Sequence, residues 1–452
     1  MTFDFLIPST MIRKAREYSR KLWVRVAIMG FMAVFAVVLS TFLEHWIPEG
    51  IATTLSGDAA DRLLSIIANA MLAVTTFSLS VMVSVYRASS TQWTPRVHRL
   101  IIEDRTTQNT LAVFIGAYVY ALIAIILREM NVFVDKRAFV LFIVTVIVLA
   151  VIVLYLIRWV LHLQTFGSLI DTSRQVEDTT RRTFQERLAN PCMGANALTG
   201  DIPEDAEIYR AKESGYLQHI YPEGLNEVGK NHGVDIYFMR NIGNFVFVNE
   251  PLLAIVRVGD AENDEHTEET LEDGLQKSII LGDVRTYDQD PRFGLIVMGE
   301  VGSKALSPGV NDPGTAIDVI HRIGRILAYY KDEVSTDRDE VLEHIYVEPL
   351  NPKDLIQDAY GAVARDAGAT VEVQQALQAT LSGLAQHPDE GLSNAALEAA
   401  KLHLRRALSV TDFEPDRERL LQSAQRDVAE AVQKQMTGIT DDKGPSQMEK
   451  DG

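Results

Sequence analysis

The sequence predicts a polytopic α-helical membrane domain of four spans, followed by a cytoplasmic α+β domain. That second domain is expected to hold a small β-barrel or sheet and a C-terminal helical bundle. Three observations carry this. Long apolar runs dominate residues 22–162, whereas residues 165–452 are polar and acidic. Basic residues gather on one side of the apolar runs. The hydrophobic pattern then changes from a helical period to strand-like alternation after residue 204, and returns to a helical period after residue 258. The predicted organisation is a transmembrane domain at 1–162, with spans at about 24–43, 63–86, 110–127 and 138–158; a helical stalk and linker at 163–204; a small β subdomain at 205–258; a mainly helical domain at 259–436; and a disordered tail at 437–452.

Length and charge bound the function. The chain has 452 residues, 47% of them hydrophobic, and a net charge of −18. An acidic surface argues against a nucleic-acid partner, because a phosphate backbone needs a basic one. The single cysteine, Cys192, excludes an internal disulfide and reads as a packing residue.

The first span, Val26 to Leu43, follows a basic stretch with Arg13, Lys14, Arg16, Arg20 and Lys21. Its core is too long for a signal peptide. The loop 44–62 is acidic and carries Trp46 at an interfacial position. The second span, Leu63 to Tyr86, has no charge, and as a helix it is roughly 36 Å long. The loop beyond it holds Arg87, Arg96, Arg99 and Arg105, and Trp93 there fits an interfacial anchor. A mixed-charge turn separates the third span from the fourth, and Arg158 closes the fourth. The positive-inside rule then places both termini in the cytoplasm.

Residues 163–190 keep a loose helical period that ends at Asn190-Pro191. Residues 205–258 alternate as strands, with Gly243-Asn244 as the turn between 234–239 and 245–248. Residues 259–275 are an acidic helix start without calcium-loop spacing. Helices are expected at 355–365, 371–385, 394–408 and 417–435.

Two places stand out as candidate sites. On a helical wheel of the second span, Ser65, Asn69, Ala73, Thr76, Ser80, Ser84 and Arg87 fall within roughly 100° of arc. Such a stripe serves either close helix packing or the wall of a water-filled path. No span carries an Asp or Glu, which speaks against proton- or sodium-coupled transport and suits an uncoupled or anion path. The second place combines Arg285-Thr286-Tyr287-Asp288-Gln289-Asp290 with Asn311-Asp312-Pro313-Gly314-Thr315. Arg285, Asp290, Asn311, Asp312 and Thr315 either form a joint site for a small anionic ligand, at a helix start, or an ordinary salt bridge and helix cap. Catalytic signatures such as GxxxxGK[ST], HExxH and GxSxG do not occur, so no enzyme, cofactor or metal site is expected.

Four stretches together resemble the domain-of-unknown-function 2254 family of predicted bacterial membrane proteins. They are Thr75-Thr76-Phe77-Ser78-Leu79-Ser80-Val81; Ser89-Ser90-Thr91-Gln92-Trp93-Thr94-Pro95-Arg96; the Arg285 motif with Phe293-Gly294-Leu295; and Ala305-Leu306-Ser307-Pro308-Gly309-Val310-Asn311-Asp312-Pro313 with Thr315-Ala316. The resemblance runs from the first span to about residue 410, and Gly314 stands where a bulkier residue is expected. It implies a multi-pass protein of the bacterial inner membrane and no established reaction. The expected function is a homo-oligomeric channel or transport-type protein with a cytoplasmic regulatory domain. The alternative is a membrane-anchored sensing or scaffolding protein whose cytoplasmic domain binds a small anion or a protein. The expected partners are the lipid bilayer and other copies of the chain.

Overall fold

The structure is a computed structural model. It describes residues 22–43, 57–102, 104–130, 132, 136–258, 265–334 and 341–441. The expectations for the basic stretch 1–21, most of the loop 44–62, the acids at 259–264 and the end of the tail at 442–452 lie outside the described residues. The chain divides into two compact units, Met1–Thr172 and Ser173–Gly452.

The first unit is helical: α1 (Leu22–Leu43), α2 (Gly57–Gln92), the short α3 (Pro95–Ile102), α4 (Arg105–Glu129) and α5 (Lys136–Leu163). Among the described residues, three stretches are long and apolar enough to cross a membrane: Ala59–Ser90, Pro95–Glu129 and Ala138–Leu163. The helix α1 has 22 residues and an apolar sequence, and packs against α4. Small residues on α4 (Ala112, Gly116, Ala117, Ala121 and Ala124) are buried and let its neighbours approach closely. The core around them holds Leu64, Ile67 and Met71 of α2 with Leu141, Val148 and Ile152 of α5. Polar contacts add register. The Tyr120 hydroxyl meets Thr145 Oγ1 at 2.9 Å inside the unit, and Arg128 Nε donates to Asp61 at 3.2 Å across the α2–α4 pair.

The expected continuous stalk is interrupted. A turn with Gly167 at φ +81° separates α5 from α6 (Leu169–Ala189). That φ favours glycine, and a Cβ there would also meet Val85 at 2.8 Å.

The second unit contains two sheets rather than a barrel. The five-stranded sheet has the order β1-β8-β4-β6-β2, built from β1 (Ala195–Ala197), β2 (Glu207–Arg210), β4 (Val234–Phe238), β6 (Pro251–Arg257) and β8 (Leu342–Val347). The three-stranded sheet has the order β5-β3-β7, from β3 (Gly215–Ile220), β5 (Phe245–Val246) and β7 (Ile279–Gly282). Strands from outside 205–258 therefore complete both sheets. Gly243 does turn the chain at φ +87°, but it joins no hairpin: β4 and β5 belong to different sheets. The strand β4 instead pairs antiparallel with β6 and parallel with β8. Alternate burial along β4 (Val234, Ile236 and Phe238) faces a core shared with Leu217, Leu225, Leu253 and Ile345. Cys192 is buried in the same core.

Between the strands lie α7 (Pro222–His232) and α8 (Glu265–Ser278), the latter burying Leu271 and Leu275. Two further helices, α9 (Pro291–Ala305) and α10 (Pro313–Leu327), lead to the bundle of α11 (Pro352–Asp366), α12 (Val371–Leu384), α13 (Glu390–Val410), α14 (Glu414–Ser423) and α15 (Arg426–Asp441). The expected last helix is thus split near Ala424, and helix continues past Thr437 to Asp441.

Two predictions follow from the packing. Where α9 crosses α11, a Cβ on Gly299 would sit 2.6 Å from the Ala359 carbonyl oxygen. Gly299→Ala should destabilise the second unit by about 1–3 kcal/mol, read as a lowered unfolding midpoint. His403, in the bundle, is buried, and burial pushes its imidazole down from 6.5 to about 4. Its folded value lies below its unfolded one, so its contribution is complete above 6.5 and lost as pH falls towards 4. Relative to His403→Leu, the wild type should lose roughly 1.4 kcal/mol per pH unit in that window, measured by denaturant titration.

Candidate functional site

The polar stripe lies on the side of α2 that its own unit leaves open. Ser65, Asn69, Ala73, Thr76, Ser80, Ser84 and Arg87 are all exposed. The buried residues of the same helix, Leu64, Ile67, Met71 and Ser78, fall on the roughly opposite face, against α4 and α5. Among the described residues, packing inside the unit is carried by the small residues of α4 and the apolar core around them, with the Tyr120–Thr145 pair, and not by the stripe. The stripe residues spend part of their hydrogen-bonding capacity locally. Asn69 donates to the Ser65 carbonyl, Thr76 to Leu72 and Ser80 to Thr76, at 3.0, 2.8 and 2.9 Å. Each keeps lone pairs for a further partner. Trp93 is buried at 4% exposure, so it packs inside the unit and does not stand out as an interfacial anchor.

The Arg285 motif works as a clip. Arg285 Nε and an Nη hold the Asp290 carboxylate at 2.5 and 3.2 Å, and Phe293 lies under the guanidinium at 5.5 Å. Asp290 also caps α9 by accepting from the Arg292 and Phe293 amides. Its burial pushes the carboxyl up, against the pull of Arg285 and those amides. Gln289 braces the Ile220 backbone with both ends of its amide, at 2.9 and 3.0 Å. Asp288 meets His219 at 2.8 Å, and the Tyr287 carbonyl accepts from Thr183 of α6. A φ of +87° at Gly243 brings the chain so close that a Cβ would overlap Arg285 and Asp290.

The second motif is a helix start. Asp312 caps α10 through the Thr315 amide at 3.1 Å and the Thr315 hydroxyl at 2.5 Å. The Thr315 hydroxyl, followed by its amide, holds the Asp312 carboxyl below the usual range. Asn311 is exposed and takes a left-handed φ of +49°. The two motifs do not meet. Asp290 opens α9, whereas the Asp312 amide bonds Ala305 at the other end of it, and the 15-residue helix between is about 22 Å long. The structure realises the salt bridge and the two caps, and the joint site is not assembled.

Sequence reading missed the polar side of α6. Glu177 of α6 accepts from Arg322 at 2.5 Å and Arg325 at 3.0 Å. Arg187 holds Glu333 at 2.5 and 3.0 Å. Glu333 also takes the amides of Cys192 at 2.8 Å and Leu350 at 2.6 Å. The one available signal was that Thr172, Val176, Thr180, Thr183, Phe184 and Arg187 recur at helical spacing, a buried face written mostly in polar residues. Beside this network a pocket is lined by Arg187, Arg240, Arg292, Asp290, Glu348 and Asp354, with others. Arg240 is paired with Glu250, and Arg292 with Asp354 and Asp358. Its charges are thus largely balanced. Among the described residues, no group of His, Cys, Asp and Glu is arranged to hold a metal ion.

Removing the carboxylate charge of Glu333 would leave Arg187 buried without its counter-ion. Glu333→Gln should cost about 3–5 kcal/mol of stability, measured by chemical unfolding. An exposed pair such as Arg426–Glu430 should cost under about 1 kcal/mol when broken.

The family model described as predicted membrane protein (DUF2254) matches residues 19–383. Uncharacterized proteins of Mycobacterium bovis and Mycobacterium tuberculosis are each 27% identical over 287 residues, covering 60% of this chain and 52% of theirs. The chain spans about half the length of these relatives. No solved structure matches.

Proposed function

Because the chain belongs to the predicted membrane protein family DUF2254, we propose that it is a homo-oligomeric channel or transport-type protein of the bacterial inner membrane. In this reading all four apolar helices, α1, α2, α4 and α5, span the bilayer and both termini are cytoplasmic. Copies of the chain gather around their α2 helices. The observation that carries the reading is the orientation of the stripe: seven polar or small residues in register, exposed, and opposite the face that α2 buries in its own unit. Facing hydrocarbon, Asn69 and the hydroxyls would each lack a second partner. Facing equivalent helices, they line a polar path whose mouth carries Arg87.

The second unit then serves as the regulatory domain. The helix α6 follows the last apolar helix directly in sequence, and its buried Glu177 and Arg187 lock it to α10 and to Glu333. The clip geometry of the Arg285 motif argues against anion sensing there, since Arg285 is already engaged by Asp290. Scaffolding through the second unit remains the alternative role for the same anchored architecture.

Purified protein in liposomes should pass small ions or osmolytes. Thr76→Leu and Ser80→Leu should each reduce flux severalfold while leaving insertion and unfolding unchanged, since both positions are exposed. Proper insertion with no flux of any common ion or osmolyte would defeat the proposal.

A further inference from the structure

The corner between α2, α3 and α4 presents a different chemistry. Four arginines, Arg87, Arg96, Arg99 and Arg105, fall between residues 87 and 110, against two acids, Glu103 and Asp104. All four arginines are exposed. Asp104 is engaged: it caps α4 through the Thr107 amide at 2.7 Å and lies 3.2 Å from His162 Nε2. Arg158, on the last turns of α5, is also exposed.

The helix α3 that carries Arg96 and Arg99 is short and amphipathic. It buries Val97 and Ile101 and leaves Arg96, Arg99 and Ile102 outside. It is also fixed in place. Ser89 Oγ meets His98 Nδ1 at 2.7 Å, the Tyr86 ring packs edge-on against His98, and the Tyr86 hydroxyl donates to the Ile102 carbonyl at 3.4 Å. The Thr94-Pro95 step sets the break from α2. So α3 is a pinned, basic, amphipathic helix that follows α2 in sequence, and in the reading above, on which this inference rests for its place, it lies where a span meets the lipid headgroups.

We propose that this corner binds the phosphate of an anionic phospholipid, with Arg96 and Arg99 as the principal contacts and Arg87 and Arg105 beside them. The occupant follows from charge and from place. Guanidinium forks match phosphate oxygens, and the ends of spans are bathed in phospholipid whatever else the protein does. Ile102, exposed on the same helix, supplies apolar contact for the acyl chain. The inference is independent of whether the chain conducts anything.

The test uses the full-length protein in neutral detergent. Binding of phosphatidylglycerol, phosphatidylcholine and inorganic phosphate is compared by native mass spectrometry, with lipid-induced thermal stabilisation as a second readout. Phosphatidylglycerol should be retained in preference to phosphatidylcholine. Arg96→Gln with Arg99→Gln should lower its retention roughly thirtyfold, the effect of two basic contacts, whereas lysine at both positions should restore most of it. Equal retention of the two lipids, or unchanged retention in the glutamine variant, overturns the proposal. Displacement of phosphatidylglycerol by millimolar inorganic phosphate also overturns it, in favour of a free-anion site. If the glutamine variant does not fold, salt decides with the wild type: a lipid preference that collapses at high salt supports the site, and one that persists refutes it.

Discussion

Four hydrogen-bond donors converge on the buried carboxylate of Glu333: two from Arg187 and the amides of Cys192 and Leu350. They come from the end of α6, the turn into β1 and the entry to α11, so one side chain ties three distant segments to the stretch after α10. An ion pair taken out of water persists only if nearly every lone pair and proton is matched. Here that demand fixes the left-handed turn at Cys192 and Met193, with φ of 49° and 58°, which aims the Cys192 amide at the carboxylate. The consequence is directional. The helix next in sequence to the last apolar helix is not a free stalk but a member of the second unit's interior, reinforced by Glu177 with Arg322 and by Thr183 with Tyr287.

The same logic explains what the Arg285 motif is for. Each of its distinctive residues is spent on holding the chain: Arg285 on Asp290, Gln289 on the Ile220 backbone, Asp288 on His219, Asp290 on the start of α9. A dense cluster of special residues reads as a ligand site in sequence because both uses call for the same donors and acceptors. The partners decide between them. Asp312 and Thr315 are likewise consumed in a cap, at the far end of α9.

Much of the architecture was legible because it rests on local periodicity. The apolar runs gave the long helices of the first unit, though not the short α3, and the periodic stretches at 355–365, 371–385 and 394–408 gave most of the bundle. The strands within 205–258 were legible but the sheets were not, since β1 and β7 lie in stretches without a strand pattern, β1 pairs with β8 across nearly 150 residues, and β4 leaves its neighbour β5 for β6 and β8. No window of sequence carries such pairing. The stripe on α2 was visible as a wheel pattern, yet which way it faces depends on where α4 buries Leu64, Ile67 and Met71. The separation of the two motifs by the length of α9 was likewise invisible until the helix between them was placed.

The central claim is that the α2 stripe faces a polar environment shared between copies of the chain. Single cysteines at Thr76→Cys, Ser80→Cys and Phe77→Cys, in a Cys192→Ala background, test it in native membranes with a water-soluble thiol reagent. Phe77 is the control because it is also exposed yet lies off the stripe, on the apolar flank. The account predicts rapid modification at positions 76 and 80 and slow modification at 77. Equal, slow reaction at all three would place the stripe in lipid or in dry packing and contradict it.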